Sequence, residues 1–278
     1  MTQFTPATGP GHLSYVYAVG RAGPELEAAA ARLSGLSGAP VRTVGSGELS
    51  AVACSVPAAD FDEAGLKAQL EDLSKLEEIA RSHHAVVEAL AGHMTVLPLR
   101  LATVYLDDER VAWMLEESRD EFGALLGRLE GHVEWGVKVY ADPDSGPPPA
   151  PEPSPPDAPA SPGRAYLQRR RAQQSTQRNA YRAAGEAAAR ISAVAASLAT
   201  DRMAHRPQQG ELAHGAGENV ANEAYLVPLP DTDEFRAAVE EACRDLPGVR
   251  VEVTGPWAPY SFATPTQPAG AGRGSHEQ

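Results

Sequence analysis

Apolar and polar positions alternate most regularly over 133–139. There Val133, Trp135, Val137 and Val139 interleave with Glu134, Gly136 and Lys138, the period-two mark of a strand with one buried face. Further strands are predicted at 12–19, 49–56, 223–229 and 249–253, with a weaker one at 211–214. The segments 41–44 and 49–52 flank Gly45-Ser46-Gly47, which reads as a hairpin. Helical spacing predicts Pro24–Leu33, which opens with Pro at a helix start, and Phe61–Leu73. Ser74-Lys75-Leu76-Glu77 reads as a capping box that restarts a helix through Leu90. Val111, Leu115, Ser118, Phe122, Leu125 and Leu129 recur at three- and four-residue steps, one amphipathic helix ended by Gly131. A long helix is predicted from about 164 to 204, with an apolar face of Tyr181, Ala184, Ala188, Ile191, Ala195 and Leu198. Another runs from 232 to 246.

From Gly131 onward these elements run strand, helix, strand, strand, helix, strand. That is the βαββαβ order of a ferredoxin-like fold, with helices on one face of an antiparallel sheet. The expected fold class is therefore α+β with two domains. An N-terminal α+β domain covers 1–130, and a modified ferredoxin-like domain covers 131–264. Residues 142–163, with ten prolines in 22 positions, cannot build a core and read as a disordered insertion in the first crossover. Trp257, Tyr260 and Phe262 follow the last strand in a Gly- and Pro-punctuated tail that cannot bury them locally. The tail is therefore expected to return to the first domain, with 265–278 disordered.

Length agrees with two domains, since 278 residues divide into about 150 each. No apolar run reaches the ~20 residues of a membrane span. Residues 1–11 hold neither a basic segment nor an apolar stretch of the secretory type, so a cytoplasmic protein is expected. Cys54 and Cys243 are too few for a disulfide scaffold or a Cys-rich zinc site, and each lies in an apolar stretch that favours a buried thiol.

The net charge of −13 conceals a pattern. Residues 1–141 carry −9, 142–163 carry −4 and 207–278 carry −7, whereas 164–206 hold nine arginines against Glu186 and Asp201, or +7. Arg170, Arg171, Arg178 and Arg182 are the candidate outward residues of that block. RNA binding is disfavoured because Val251 and Val253 fill the last strand, where RNA-binding domains of this topology stack bases on aromatics. Membrane binding is disfavoured because the helix's apolar face is mostly alanine. An ordinary solvated face, or docking against the chain's own acidic surfaces, accounts for the block more simply than a ligand does. Among ligands an acidic protein leads.

Catalytic signatures are lacking. There is no phosphate-binding glycine loop, no dinucleotide fingerprint and no nucleophile elbow. His84 and Glu88 share a helix face at i, i+4, with His83 and His93 nearby, but a third ligand is not evident and no metal or other cofactor is expected. Arg100, within Val96-Leu97-Pro98-Leu99-Arg100, must reach water or a carboxylate, and Glu77, Glu78 and Glu88 are candidate partners.

Several segments in order resemble the GvpF/GvpL family of gas vesicle proteins. They are Tyr15-Val16-Tyr17-Ala18-Val19, His84 with the following 96–104 stretch, and Gly131-His132-Val133-Glu134-Trp135-Gly136-Val137-Lys138-Val139. Gly163-Arg164-Ala165-Tyr166-Leu167, Ala224-Tyr225-Leu226-Val227 and Gly255-Pro256-Trp257-Ala258-Pro259-Tyr260-Ser261-Phe262 follow. Together they span 13–262. Leu101-Ala102 stands where the family tends to have Phe-Gly, and Ala258 where it often has Pro. The resemblance implies a two-domain α+β protein whose second domain is a modified ferredoxin-like fold. It also implies a non-enzymatic accessory protein that assists vesicle assembly by contacting the hydrophobic main shell protein and other vesicle proteins, without nucleic acid, membrane or small-molecule substrate. A regulatory α+β protein that binds a small metabolite, with Arg100 and His84 in its pocket, is the competing reading. Fold alone supports it only weakly.

Overall fold

The computed structural model of the chain describes residues 11–143, 162–207 and 217–263, with side chains of the long helix from Tyr166 onward. The chain divides into two compact units. The first comprises the residues up to Gly131 together with those from Trp257 onward, and the second runs from His132 to Pro256.

In the first unit a five-stranded sheet has the order β2-β3-β1-β4, with β5 also paired to β1. The strands are β1 (His12–Arg21), β2 (Val41–Ser46), β3 (Leu49–Pro57), β4 (Val96–Pro98) and β5 (Val104–Tyr105). The hairpin forms through Gly47, whose φ of 62° suits glycine, and pairs Ser46 with Leu49. Strand β1 is central and almost wholly buried. One of its faces, through Tyr15 and Tyr17, packs with α1 (Pro24–Ala30), α2 (Ala58–Phe61) and α4 (Leu73–Ala91) in one apolar cluster. Side chains alternate across a strand, so Ser14 and Val16 point to the other face. There α5 (Asp108–Glu117) meets Ser14 through Asp108.

Three helices differ from the sequence reading at their ends. The run 61–73 is broken at Asp62, which caps α3 (Glu63–Glu71) by accepting from the Gly65 N–H. The cap of α4 is Asp72, which accepts from the Ser74 and Lys75 N–H groups. A carboxylate two residues ahead of Ser74 satisfies two terminal donors and suits the positive helix end better than a hydroxyl. The amphipathic run 111–129 breaks at Ser118 into α5 and α6 (Arg119–Leu129), yet its apolar periodicity continues across the break.

In the second unit a four-stranded sheet has the order β7-β8-β6-β9. Its strands are β6 (His132–Ala141), β7 (Asp201–His205), β8 (Glu218–Pro228) and β9 (Val249–Trp257). β8 pairs antiparallel with both β6 and β7. Helices α7 (Pro162–Ala195) and α8 (Thr232–Ala242) pack on it, and α7 uses Ala180, Ala184, Ala187, Ile191 and Ala195. This face is rotated by one residue from the expected one, leaving Tyr181 and Ala188 at its margin. The helix also ends nine residues earlier than expected. Asp201–His205 pairs with β8 as a strand, because its alternating side chains lie along an available sheet edge. The strand expected at 211–214, most of the proline segment and the end after Pro265 lie outside the described residues.

Candidate functional site

Tyr15 and Tyr17 leave β1 on the same face, two residues apart, beneath helix α4. His83 projects from α4 into the space between them and is only 2% exposed. Its Nε2 lies 3.2 Å from the Leu99 carbonyl and its Nδ1 3.0 Å from the Tyr15 hydroxyl. A carbonyl can only accept, so Nε2 carries the proton and Nδ1 accepts from Tyr15. The Tyr15 oxygen accepts in turn from the Ala102 N–H at 3.1 Å. This relay ties α4 to β1 and to the turn following β4. Ala102 adopts φ 64° there, a left-handed conformation natural to glycine.

Beside the relay, the Tyr17 hydroxyl accepts from the Leu36 N–H at 2.8 Å and contacts Cys54 Sγ at 3.0 Å. Gly35 lies against the pair, and a Cβ there would run into the Tyr17 oxygen. Burial sets the ionisation of the whole group. It lowers the His83 pKa from 6.5 to about 4 and raises Tyr15, Tyr17 and the Cys54 thiol. Each group is thus held neutral at pH 7. Thiolate and phenolate are disfavoured, so the cluster serves as hydrogen-bonded scaffolding rather than as a source of a nucleophile.

The outer face of α4 holds the second feature. His84 is half-exposed and faces two aromatics of the C-terminal segment, with ring centroids 5.4 Å from Trp257 and 6.2 Å from Tyr260. One turn on, Glu88 accepts the Ala258 N–H at 2.9 Å and lies 3.9 Å from His84 Nδ1. Tyr260 also approaches His83 at 6.3 Å. Phe262 is 1% exposed, whereas Trp257 keeps 40% of its surface. His84, Trp257 and Tyr260 therefore converge in one aromatic patch on the first unit, with Phe262 two residues beyond.

The remaining sequence candidates lie apart from this patch. Arg100 is exposed and makes no ion pair with Glu77, Glu78 or Glu88 among the described residues. Its carbonyl instead accepts from Thr103. Trp135 is a core residue of the second unit, 6.2 Å from the Phe235 ring. Arg171, Arg178 and Arg182 are exposed on α7. Two cavities of the first unit have volumes of about 260 and 550 Å³. The smaller is lined by Leu36, Phe61, Lys75 and Glu78 among others, the larger by Arg21, Met94 and Leu126 among others. Neither is lined by His84 or Arg100. No group of three or more His, Cys, Asp or Glu side chains is poised for a metal among the described residues.

Two features escaped the sequence reading. His83 was grouped with its polar neighbours, although its position three residues before Val86 and four after Ile79 puts it on the buried stripe of α4. The second is the Arg42–Asp108–Ser14 cluster. Arg42 donates to both carboxylate oxygens, at 3.1 and 2.6 Å, and Ser14 donates to Asp108 at 2.6 Å. No local pattern joins three residues so far apart in the chain.

Comparison with known proteins complements this geometry. The sequence model of the family described as gas vesicle synthesis protein GvpL/GvpF matches residues 13–264. Gas vesicle protein L of Streptomyces sp. (strain CB03234) is 45% identical over 251 residues, covering 90% of this chain and 92% of that protein. Gas vesicle protein F of the same strain is 24% identical over 258 residues, 90% of this chain and 98% of that one. The crystal structure of GvpF from Anabaena sp. PCC7120 shares the fold, with a TM-score of 0.61 at 19% identity over 92% of this chain and 98% of that one.

Proposed function

The chain belongs to the GvpL/GvpF family of gas vesicle synthesis proteins, and from that premise we propose that it is a non-enzymatic accessory factor of gas vesicle assembly. In this reading it works in the cytoplasm and binds the hydrophobic main shell protein together with other vesicle proteins. The observation that carries the proposal is the extent of the family match, residues 13–264, supported by a 45%-identical relative named gas vesicle protein L. Physical reasoning supports an adaptor. A shell subunit with a large apolar face aggregates unless its assembly is guided, and a partner of net charge −13 resists being drawn into the aggregate. The neutral, buried Cys54, Tyr15 and Tyr17 favour a structural role for the most chemically equipped cluster. No helix among the described residues is long and apolar enough to cross a membrane.

The domain reading belongs to the same proposal. The second unit is a modified ferredoxin-like domain, a reading favoured by its βαββαβ order and by the sheet order β7-β8-β6-β9. Residues 142–163 are an insertion in its first crossover. The first domain takes the C-terminal segment as its own last element, with His84, Trp257 and Tyr260 as its interaction patch.

Deleting the gene in its host and restoring it on a plasmid tests the function. Vesicles seen by electron microscopy should be absent or misshapen in the deletion and restored by complementation, and the tagged chain should capture the main shell protein. Normal vesicles in the deletion strain would refute the proposal. Thermal stabilisation by a small metabolite, without shell-protein capture, would favour the regulatory reading instead.

A further inference from the structure

Helix α7 has 34 residues, about 51 Å at 1.5 Å per residue, yet only its C-terminal half packs on the sheet. From Tyr166 to Asn179 every residue is exposed except the half-exposed Thr176, which leaves an arm of about 20 Å without tertiary packing among the described residues. The packed C-terminal half nucleates the helix, and the arm extends it with a face that no described residue covers, open to a partner.

The arm's charge identifies the partner's chemistry. Residues 164–185 hold six arginines and no acid, so a chain of net charge −13 carries −19 elsewhere. Arg171, Arg178 and Arg182 stand at i, i+7 and i+11, within about 20° of one line along the helix, and Leu167 heads the same stripe. None of the three arginines is ion-paired among the described residues. By contrast, Arg190 meets Glu186 and Asp245 at 2.6 and 2.7 Å, and Arg202 meets Glu223 at 2.5 Å.

A matching surface lies on α5. Glu109, Trp113, Glu116 and Glu117 share its outer face with the exposed Arg110, and Glu116 already pairs with Arg119, which leaves Glu109 and Glu117 as the carboxylates open to a partner. Trp113 is 58% exposed, and Leu106, just ahead of the helix, is 68% exposed. An indole ringed by carboxylates suits guanidinium groups, offering cation–π contact and charged hydrogen bonds together. The protein already uses this combination elsewhere, where Arg250 stacks 3.9 Å over the Tyr140 ring while pairing with Glu252.

We propose that the α7 arm docks on the α5 face of a second copy of this chain, reciprocally, to give a two-fold dimer. The inference goes beyond the vesicle reading and stands or falls separately, since it concerns the purified protein alone. The arm holds too little large apolar surface for membrane insertion. Repulsion between two acidic chains is screened beyond about 8 Å at physiological salt, whereas pairs in contact are screened far less.

Sedimentation velocity on the full chain, over a dilution series, tests the proposal. At about 0.1 M salt a concentration-dependent dimer is expected, and it should dissociate at about 0.5 M. The triple variant Arg171→Glu, Arg178→Glu, Arg182→Glu should be monomeric. So should a second variant, Glu109→Lys with Glu117→Lys, and both should melt as the unaltered protein does at dilutions where that protein is itself monomeric. Mixing the two should restore dimers, because each reversed arm then meets a reversed face. A monomer at every concentration and salt, an arm variant that still dimerises, or a mixture that stays monomeric would each overturn the proposal. Loss of RNA or anionic-vesicle binding on arm reversal, with no self-association in the unaltered protein, would do so too. An arm variant that melts below the unaltered protein even at dilutions where both are monomeric would place the docking within one chain and likewise overturn it.

Discussion

At the scale of single residues, His83 converts burial into a pH dependence. The ring is held neutral by its surroundings, with a folded pKa of about 4 against 6.5 when exposed. Above pH 6.5 neither state binds the proton and the stability is complete. As the pH falls below 6.5 the unfolded chain is protonated first, and stability is lost until the folded pKa is reached. The whole effect is about 3 kcal/mol, of which about 2 kcal/mol is gone by pH 5. Thermal melts at pH 7 and pH 5 should therefore show a larger loss for the unaltered protein than for His83→Gln, which keeps a donor for the Leu99 carbonyl but has no imidazole to protonate. Equal losses would place the acid sensitivity elsewhere. Ala102 shows a further residue-level tension. It holds a left-handed conformation while its N–H serves the Tyr15 relay, at the position where the family resemblance pointed to a glycine.

At the scale of elements, a buried polar anchor helps to place α5. Asp107 caps the helix through the Arg110 N–H, while Asp108, its first residue, is clamped by Arg42 of β2 and Ser14 of β1. Ser14 is fully buried and the Asp108 side chain is 12% exposed, so losing the carboxylate would leave Arg42 poorly compensated in a dry environment. Asp108→Ala should cost about 2–4 kcal/mol in denaturant unfolding, less than a fully buried pair because Arg42 keeps some access to water. A cost below 1 kcal/mol would mean that apolar packing alone holds α5. The same comparison explains what the sequence disclosed. The 133–139 alternation reappears as β6, and the 111–129 spacing as α5 and α6, because burial imprints a period on neighbouring residues. The α5–α6 break carries no such imprint, since the apolar stripe crosses Ser118 without interruption. Asp201–His205 read as the end of a helix because an edge strand with one solvated face needs few apolar residues, and the β8 partner that defines it begins 13 positions after it ends. The His84 patch was visible only in part. His84 and the aromatics Trp257 and Tyr260 each stood out, but about 170 residues separate them and nothing local pairs them.

At the scale of the whole molecule, the order of the chain makes the second unit an insertion between the first unit's main body and its last segment. The first unit therefore cannot be complete until the chain has been made past residue 256. Ala258, 2% exposed, belongs to the same apolar cluster as Tyr15, Tyr17 and Leu90, and its N–H satisfies Glu88. Phe262 is likewise buried at 1%, while Trp257 lends a partly exposed ring to His84. Burial of one large aromatic contributes about 1.5–3 kcal/mol, and a hydrogen bond to a charged acceptor about 1.5–3 more. A chain ending at Pro256 should thus lose about 3–6 kcal/mol from the first unit, whereas Trp257→Ala alone should cost about 1 kcal/mol because much of that ring already meets water. Hydrogen exchange locates the effect. Amides of α4 around His84 and Glu88 should exchange at least a hundredfold faster in the truncated chain, since each 1.4 kcal/mol corresponds to a factor of ten. Unchanged protection in α4 would show that the C-terminal segment lies against the helix without stabilising it, and the aromatic patch would then have to be explained by what it binds.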